Sequence, residues 1–265
     1  MKDCISVVIP VYNGARTLPA ALDSVLVQEH VKEVLLIDDG STDETASVIR
    51  AYREKSDKIR YIVNEGNLGA AASRNKGVRL AQGEYIAFLD ADDYWEPGKL
   101  RNQLALMEET GAVLSSTARE LIRSDGTRTG HIIPIKSRIT YKELLKHNSI
   151  SCSAVVAKRE MLLEFPMEHE DSHEDYITWL LILRKYGYAV GLNRPYLKYR
   201  VSASSKSGTK LRSARMTYKA YRYAGLSVPA SALCFVSYAI HGVYKYYLHK
   251  TETNDHIWER TNETD

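Results

Sequence analysis

The sequence predicts a doubly wound, Rossmann-like α/β fold, in which a mainly parallel sheet carries helices on both faces. Short β-branched runs alternate with helical patterns over roughly the first hundred residues, and these runs are apolar throughout. Continuous apolar strands separated by helices are typical of βαβ units in a sheet that is buried on both sides. With 265 residues, the chain is long enough for one large domain or for a domain with an appendage.

The first elements follow in order from the apolar runs and their flanking residues. Strands are predicted within residues 6–13, 33–41, 60–67 and 84–93, and helices within residues 17–29, 43–56 and 70–83. Ser41 or Thr42 is the expected N-cap of the second helix, and Gly83 is the expected end of the third. A polar cluster closes each strand, and open α/β sheets bind ligands beyond the carboxyl ends of their strands. These clusters are residues 10–13, 38–41, 64–67 and 90–93.

The rest of the chain has a different pattern. A hairpin is predicted around the Asp125-Gly126 turn, and Tyr176, Trp179, Leu180 and Leu183 share one face of a helix predicted over residues 173–188. Two amphipathic helices rich in tyrosine and basic residues follow. The expected organisation is a catalytic body over residues 1–206 with halves of about 1–111 and 112–206, a basic helical region over 207–250 and a polar tail over 251–265.

Charge is distributed unevenly along the chain. Residues 176–250 hold thirteen Lys or Arg and no Asp or Glu, so the net charge of +3 leaves 3 − 13 = −10 for the remainder. A basic region beside an acidic body indicates an anionic partner, either a membrane or a nucleic acid. The apolar run at 228–244 is interrupted by polar residues and falls short of the roughly 20 residues of a membrane span. We therefore expect helices lying on an anionic membrane surface, and no nucleic-acid partner, because no nucleic-acid-binding motif is present.

The chain is expected in the cytoplasm. Cys4, Cys152 and Cys234 show no paired spacing, and an odd count is atypical of a disulfide framework. The N-terminus enters an apolar strand after four residues, which is too early for a signal peptide. The sequence does not predict an oligomeric state.

Three carboxylates follow the fourth predicted strand in the stretch "YIAFLDADDYW". Asp90, Asp92 and Asp93 would repel one another and raise at least one pKa unless a cation lies among them. Mg²⁺ or Mn²⁺ suits such oxygen ligands and leaves positions for phosphate oxygens. The stretch therefore indicates a divalent cation bound with a diphosphate, and the alternative is a solvated loop.

Four motifs in order carry a family resemblance: "PVYNG", "IDDGSTD", "NEGNLGAAASRN" and "FLDADD", each closing a predicted strand. With them the sequence resembles the family 2 glycosyltransferases, inverting enzymes of the GT-A fold that use nucleotide-sugar donors. The resemblance is strong from residue 6 to about 111 and moderate to about 206. It implies that the α/β body is a GT-A domain and that the chain transfers a sugar.

The resemblance assigns the nucleotide end of the site. Pro10, Tyr12 and Asp39 would form the wall that receives the base. Asp39 would accept a hydrogen bond from a ring N–H of uracil or a related base, and Tyr12 would pack on the ring face. Asp38 is the alternative partner for the base.

The same resemblance assigns the diphosphate end. Arg74 would approach the base or the diphosphate, and Asp90 would touch the ribose or its neighbour. Asp92 would bind the metal as the second acid of the DXD pattern. Asp93 is less specific, since it also suits a helix-capping role. Related enzymes carry a His a few residues beyond a "YR" pair, where this chain has Ser202, so Asp92 is the one direct side-chain ligand expected. The loop with Arg200, Ser204, Ser205 and Lys206 would still close on the diphosphate.

The catalytic base is nominated from "SHEDYITWLLILRKYG", which matches an acidic pair that the family places at the start of a helix. Asp175 would take the proton of the acceptor hydroxyl, with Glu174 beside it. A carboxylate near a helix N-terminus is also ordinary capping.

The basic C-terminal helices make the chain similar to bacterial enzymes that extend polyprenyl-diphosphate-linked sugars in O-antigen or capsule synthesis. The resemblance thus implies a metal-dependent inverting transferase that moves a sugar from a UDP-sugar to a lipid-linked saccharide, at the cytoplasmic face of the inner membrane. Two alternatives stay open: transfer to a polyprenyl phosphate, and a non-catalytic membrane protein that binds nucleotide sugars.

Overall fold

The structure is a computed structural model that describes residues 3–201 and 210–249. Its strands are β1 (Ile5–Val11), β2 (Val31–Asp38), β3 (Ile59–Val63), β4 (Tyr85–Phe88), β5 (Tyr94–Trp95), β6 (Leu114–Ile122), β7 (Arg128–Ile133), β8 (Arg138–Thr140), β9 (Val156–Lys158) and β10 (Tyr188–Arg200). Its helices are α1 (Leu18–Leu26), α2 (Thr45–Lys55), α3 (Ala70–Leu80), α4 (Lys99–Thr110), α5 (Tyr141–Lys146), α6 (Arg159–Glu164), α7 (Glu174–Tyr186), α8 (Lys210–Tyr223) and α9 (Val228–His249).

The strands form one sheet in the order β3-β2-β1-β4-β9-β6-β10-β5, with β7 beside β6 and β8 beside β10. The first four strands are parallel, and β6 and β10 run parallel to each other. The short strand β9 lies antiparallel between β4 and β6, so β6 and β10 keep the direction of β1 to β4. The predicted α/β fold with a mainly parallel central sheet is confirmed.

Both faces of the sheet are buried, which explains the continuous apolar strands. Val8 of β1 belongs to one core with Phe88 and Trp179. Its neighbour Val7 belongs to a second core on the opposite face, together with Leu22 of α1. Each of these side chains is at most 1% exposed, and each such burial stabilises the fold by roughly 1.5–3 kcal/mol.

Two predicted helix boundaries are wrong. Helix α2 begins at Thr45, and Glu44 is its N-cap. Ser41 and Thr42 do not cap the helix, because they form hydrogen bonds with Asn13 in the loop after β1. The Ser41 hydroxyl accepts from the Asn13 backbone N–H at 3.0 Å, and the Asn13 side chain accepts from the Thr42 N–H at 2.8 Å. These bonds join the loops after β1 and β2.

Helix α3 ends at Leu80, so Gly83 lies beyond it. The Gly83 N–H donates to the Ser6 hydroxyl at 2.8 Å. A β-carbon at residue 83 would lie 2.6 Å from the Ser6 backbone nitrogen, so glycine is needed here for close approach to β1.

The middle of the chain confirms two predictions and adds one strand. Strands β6 and β7 form the predicted hairpin, in which Gly126 has a φ of 92°. The four apolar residues predicted to share one face of α7 are all buried. The sequence analysis missed β9, which has only three residues and therefore shows no periodicity.

The two C-terminal helices expose different chemistry. Four exposed basic residues recur every three or four positions along α8: Arg212, Arg215, Lys219 and Arg222. Helix α9 exposes Leu233, Val236 and Ile240 by 73%, 55% and 61%. Within the described residues, no helix is long and apolar enough to cross a membrane. The expected boundary at residue 206 and the polar tail over 251–265 lie outside the described residues.

Candidate active site

The polar clusters predicted at the strand ends lie together along one rim of the sheet. The clusters at residues 10–13, 38–41 and 64–67 follow β1, β2 and β3, which pair in parallel. The cluster at residues 90–93 follows β4, the other neighbour of β1. The rim therefore brings together residues that are up to 83 positions apart in sequence (93 − 10 = 83).

Asp39 is buried at this rim and organises the loop after β3. Its Oδ1 accepts from the Asn64 side-chain amide at 2.8 Å and from the Leu68 N–H at 2.9 Å, while Oδ2 accepts from the Gly69 N–H at 2.7 Å. A carboxylate has about four acceptor positions, so one position remains on Oδ2.

Asp38 is also buried, and each of its two oxygens accepts one hydrogen bond from its own surroundings. Its Oδ1 accepts from the Ser41 N–H at 2.9 Å, and its Oδ2 accepts from the Tyr61 hydroxyl at 2.6 Å. On the outer side of the rim, Tyr12 is 52% exposed and Pro10 is half-buried. The ring of Tyr12 is thus accessible to a planar ligand.

Arg74 lies on α3 and connects two acidic groups that are far apart in sequence. One terminal nitrogen contacts Asp90 Oδ1 at 2.5 Å, and the other contacts Glu174 Oε1 at 3.3 Å. The side chains of Arg74 and Glu174 are 7% and 8% exposed. A single buried guanidinium therefore joins the acids after β4 to the acidic pair at the start of α7.

The acids after β4 repel one another in a poorly solvated place. Burial, followed by the charge of Asp90, raises the pKa of Asp92 to about 6. Burial and the neighbouring carboxylates Asp92 and Asp90 also raise the pKa of Asp93 well above its usual range. Asp93 Oδ1 accepts from the Arg200 backbone N–H at 2.8 Å, whereas its buried Oδ2 has no hydrogen-bond partner among the described residues.

This cluster fits a hard divalent cation that takes few protein ligands. A buried carboxylate oxygen without a partner and repelling acids both favour a nearby positive charge. Within residues 3–201 and 210–249, no three His, Cys, Asp or Glu side chains are arranged as a complete metal cage. A cation held here would therefore take its remaining ligands from water or from a bound anion.

Asp175 lies half-buried in the first turn of α7, next to Glu174. Its Oδ1 accepts from the Tyr176 N–H at 2.7 Å. Burial, followed by the charge of Glu174, raises the pKa of Asp175 to about 6. A carboxyl group with this pKa is mostly ionised near neutral pH and accepts a proton more readily than an ordinary aspartate.

Arg200, predicted in the loop over the diphosphate, is engaged by backbone oxygens. Its Nε donates to the Asp92 carbonyl at 2.7 Å, and a terminal nitrogen donates to the carbonyls of Arg123 and Ser124 at 3.2 and 2.9 Å. The rest of that predicted loop, with Ser202, Ser204, Ser205 and Lys206, lies outside the described residues.

The structure adds one carboxylate that the motifs did not indicate. Glu170 Oε1 accepts from the Ala71 N–H at the start of α3, at 3.2 Å. A β-carbon at Gly69 would lie 2.0 Å from the same oxygen, so glycine makes room for this contact. Glu170 is one of several acids in the stretch "MEHEDSHED". The composition of this stretch does not distinguish Glu170 from the other acids.

Arg119 on β6 and Tyr199 on β10 also lie beside the acids and were not predicted. The guanidinium carbon of Arg119 is 5.8 Å from the centre of the Tyr199 ring. Asp93 and Asp175 are among the groups that act electrostatically on Arg119. The one signal in the sequence is the adjacent charged pair Arg119 and Glu120 inside the otherwise small and apolar run "VLSSTARELI".

Comparison with known proteins identifies the family and the fold of this chain. The model of the family described as "Glycosyl transferase family 2" matches residues 6–164, which is more than half of the chain. The chain belongs to this family. The predicted family and its GT-A fold are confirmed, and the chain is a glycosyltransferase.

Individual proteins agree with this assignment over most of the chain. The putative teichuronic acid biosynthesis glycosyltransferase TuaG of Bacillus subtilis is 36% identical over 92% of this chain and 98% of its own length. A β-1,3-glucosyltransferase of Escherichia coli, WfaP, is 34% identical over 92% of this chain and 96% of its own length, and its name specifies UDP-Glc and α-D-GlcNAc-diphosphoundecaprenol.

A solved structure shares the fold. It is that of the mannosyltransferase PcManGT from Pyrobaculum calidifontis in complex with GDP-Man and Mn²⁺. The two structures superpose with a TM-score of 0.68 at 18% identity, over 89% of this chain and 69% of the other.

Proposed function

We propose that this chain is a metal-dependent inverting glycosyltransferase that moves a sugar from a UDP-sugar to a hydroxyl of a polyprenyl-diphosphate-linked saccharide, in the synthesis of a bacterial surface polysaccharide. One observation carries the proposal: Arg74 joins the acids of the DXD cluster to the acidic pair on α7. Asp90 on the proposed donor side and the acidic pair that includes the candidate base Asp175 are thereby held on the same rim. A single displacement requires donor and base to be positioned together in this way.

The nucleotide is bound between Tyr12 and Asp39. Tyr12 packs its exposed ring on the base, and Asp39 uses its remaining acceptor position for a ring N–H. Pro10 completes the wall. The donor named for WfaP, UDP-Glc, supports a uridine nucleotide.

Asp92 would hold Mn²⁺ or Mg²⁺, and Asp90 would lie toward the ribose. The cation, when bound, stabilises the negative charge that develops on the departing diphosphate. The raised pKa of Asp92 reflects a carboxylate that gains stability when a positive charge arrives. The Mn²⁺ in the PcManGT complex supports the choice of metal.

Asp175 is the catalytic base. As the acceptor hydroxyl oxygen bonds to the anomeric carbon, its proton passes to the Asp175 carboxylate, and the bond from that carbon to the diphosphate breaks on the opposite face. Attack opposite the leaving group inverts the anomeric configuration. A pKa of about 6 suits a base that works near neutral pH.

The acceptor is presented at a membrane surface on which α8 and α9 lie. The basic row of α8 meets anionic headgroups, and the apolar face of α9 enters the interface. The diphosphoundecaprenol acceptor named for WfaP supports a lipid-linked substrate. In this proposal the chain lies peripherally on the cytoplasmic face of the inner membrane.

The first experiment is calorimetric titration of UDP, GDP and dTDP into the parent protein and Asp92→Asn, with and without Mn²⁺. We expect UDP to bind the parent more tightly with Mn²⁺ and the variant to lose this response. A variant that responds to Mn²⁺ as the parent does would remove Asp92 as the ligand. Transfer to a lipid-linked GlcNAc, but not to a bare polyprenyl phosphate, would then establish the acceptor class.

Membrane binding is tested separately with vesicles of phosphatidylglycerol. Replacing Leu233, Val236 and Ile240 together with serine should reduce co-sedimentation. Val27→Ser is the matched control, because Val27 is 63% exposed on a different part of the molecule. Equal binding by the triple variant and the control would contradict the surface assignment.

A further inference from the structure

Ser153 contacts both ends of the segment that carries the three acids after β4, residues 90–95, which we call the acid turn. The Ser153 hydroxyl accepts from the Asp90 backbone N–H at 3.1 Å, and the Ser153 carbonyl accepts from the Trp95 indole N–H at 2.7 Å. Ser153 is 1% exposed and Trp95 is 2% exposed. A single buried residue from outside the motif therefore holds the first and the last residue of the acid turn.

The sheet brings Ser153 to this position from far along the chain. Ser153 lies in a short 3₁₀ turn, Cys152–Ala154, that leads into β9. Strand β9 pairs antiparallel with β4, and Val156 lies opposite Ala87. Continuing this register beyond the end of β4 sets Ser153 opposite Asp90. The pairing of two strands thus explains why the Ser153 hydroxyl meets the Asp90 N–H.

The backbone bonds of Asp90 also determine where Asp92 lies. The Asp93 N–H donates to the Asp90 carbonyl at 3.1 Å, which closes a turn that contains Asp92. On the other side of this turn, Arg200 Nε donates to the Asp92 carbonyl at 2.7 Å. The backbone around Asp92 is therefore held by Arg200 from β10 and, through Asp90, by Ser153 from the 3₁₀ turn.

The geometry points to a role for Ser153 behind the metal ligand: we propose that Ser153 is a positioning residue, which sets the conformation of the acid turn and thereby its affinity for a divalent cation. The inference rests on the proposed function, in which Asp92 would bind that cation. A cation with few protein ligands depends strongly on how the backbone holds each of them. Removing a group that orients a metal ligand typically lowers metal affinity about 10- to 100-fold.

Ser24 provides a matched control on the same segment. Its hydroxyl accepts from the Trp95 backbone N–H at 3.1 Å, the same distance as between Ser153 and Asp90, and Ser24 is also buried. Ser24→Ala therefore removes a serine hydroxyl from residue 95, outside the turn that contains Asp92. Ser153→Ala removes the equivalent hydroxyl from residue 90, which closes that turn.

The test is calorimetric titration of Mn²⁺ into protein saturated with UDP. Ser153→Ala should weaken Mn²⁺ binding roughly 10- to 100-fold, while the affinity for UDP without Mn²⁺ matches the parent. Ser24→Ala should lower the thermal unfolding temperature by a similar amount and keep the Mn²⁺ affinity of the parent. Trp95→Phe removes the other bond to Ser153 and should also weaken Mn²⁺ binding, so it replaces Ser153→Ala if that variant does not fold.

Two results would overturn the proposal when the parent binds Mn²⁺. An Mn²⁺ affinity in Ser153→Ala equal to that of the parent would remove Ser153 as a positioning residue. An equal loss of Mn²⁺ affinity in Ser153→Ala and Ser24→Ala would indicate a general loosening of the segment instead.

A parent protein that does not bind Mn²⁺ would contradict the metal site of the proposed function, and a double-mutant cycle then decides the role of Ser153. Asp90→Asn keeps the backbone N–H that donates to Ser153, and it removes the charge that pairs with Arg74. If Ser153 positions Asp90, Ser153→Ala should lower the free energy of unfolding less in Asp90→Asn than in the parent. That result would support the positioning role although the metal site had failed, and equal losses would overturn both.

Discussion

The two ends of the candidate site are built differently. At the nucleotide end, the oxygens of Asp38 and Asp39 accept hydrogen bonds from the surrounding loops. At the catalytic end, a buried oxygen of Asp93 has no partner among the described residues, and the pKa values of Asp92 and Asp175 are raised to about 6. The first end is thus internally satisfied apart from one acceptor position on Asp39, whereas the second end keeps repelling, poorly solvated carboxyl groups, which are typical of functional sites.

The comparison predicts its largest effect at Asp175. Asp175→Asn should lower kcat by about 10²- to 10⁴-fold, the usual contribution of a general base, while UDP binding is retained. Steady-state kinetics and calorimetry measure the two quantities. Asp171→Asn is the control, since Asp171 precedes α7 and forms an exposed ion pair with Lys219. Near-normal turnover in Asp175→Asn would remove it as the base.

Removing the guanidinium of Arg74, which joins the two ends, is expected to have the next largest effect. Arg74→Met leaves Glu174 buried without this charge and should lower the free energy of unfolding by roughly 3–5 kcal/mol. Urea denaturation measures this, with the exposed α2 residue in Arg53→Met as control. A loss no greater than that of the control would show that the two acids do not depend on Arg74.

A smaller effect is expected at the nucleotide end. Asp39→Asn replaces an acceptor oxygen by an amide and leaves at least one loop N–H unpaired, at a cost of about 1–3 kcal/mol. Thermal unfolding and UDP affinity should both decrease, whereas the exposed Asp57→Asn should change neither. If only UDP affinity decreased, the loop would be independent of Asp39.

The smallest expected effect is a pH shift. Asp175 must be ionised to accept a proton, so activity should rise with pH through about 6. Glu174→Gln removes a negative neighbour that raises this pKa, and the rise in kcat should therefore move to lower pH. The pH profile of kcat for parent and variant measures this. If kcat of the variant rose at the same pH as in the parent, or at a higher pH, Glu174 would not be a cause of the raised pKa of Asp175.

Sequence analysis predicted the rim because strand ends are local features. The clusters after β1 to β4 are visible in short windows, and the parallel sheet then places them together. The bridge by Arg74 was not predictable in this way. Its partners lie 16 and 100 residues away, and its local window shows only an arginine in an alanine-rich helix. The roles of Pro10, Tyr12, Asp39, Arg74, Asp90, Asp92 and Asp175 toward ligands stay predictions.

The other features that the sequence analysis missed also depend on contacts between segments that are distant in sequence. Strand β9 has three residues, and its place between β4 and β6 depends on pairing with distant segments. The contact of Arg119 with Tyr199 likewise depends on the pairing of β6 with β10, which are distant in sequence. Ser41 and Thr42 suit a helix cap by composition, but the neighbouring loop at Asn13 provides competing partners.

The double pairing of Arg74 also has a thermodynamic consequence. Asp90 follows β4, Glu174 lies beside the proposed base Asp175, and both carboxylates form an ion pair with the same guanidinium. A donor that changed the pairing of Asp90 would change the charge available to Glu174, and under the proposed function the binding of the two substrates would then be coupled. Such coupling is reciprocal. If the donor changes the affinity for the acceptor by some factor, the acceptor changes the affinity for the donor by the same factor.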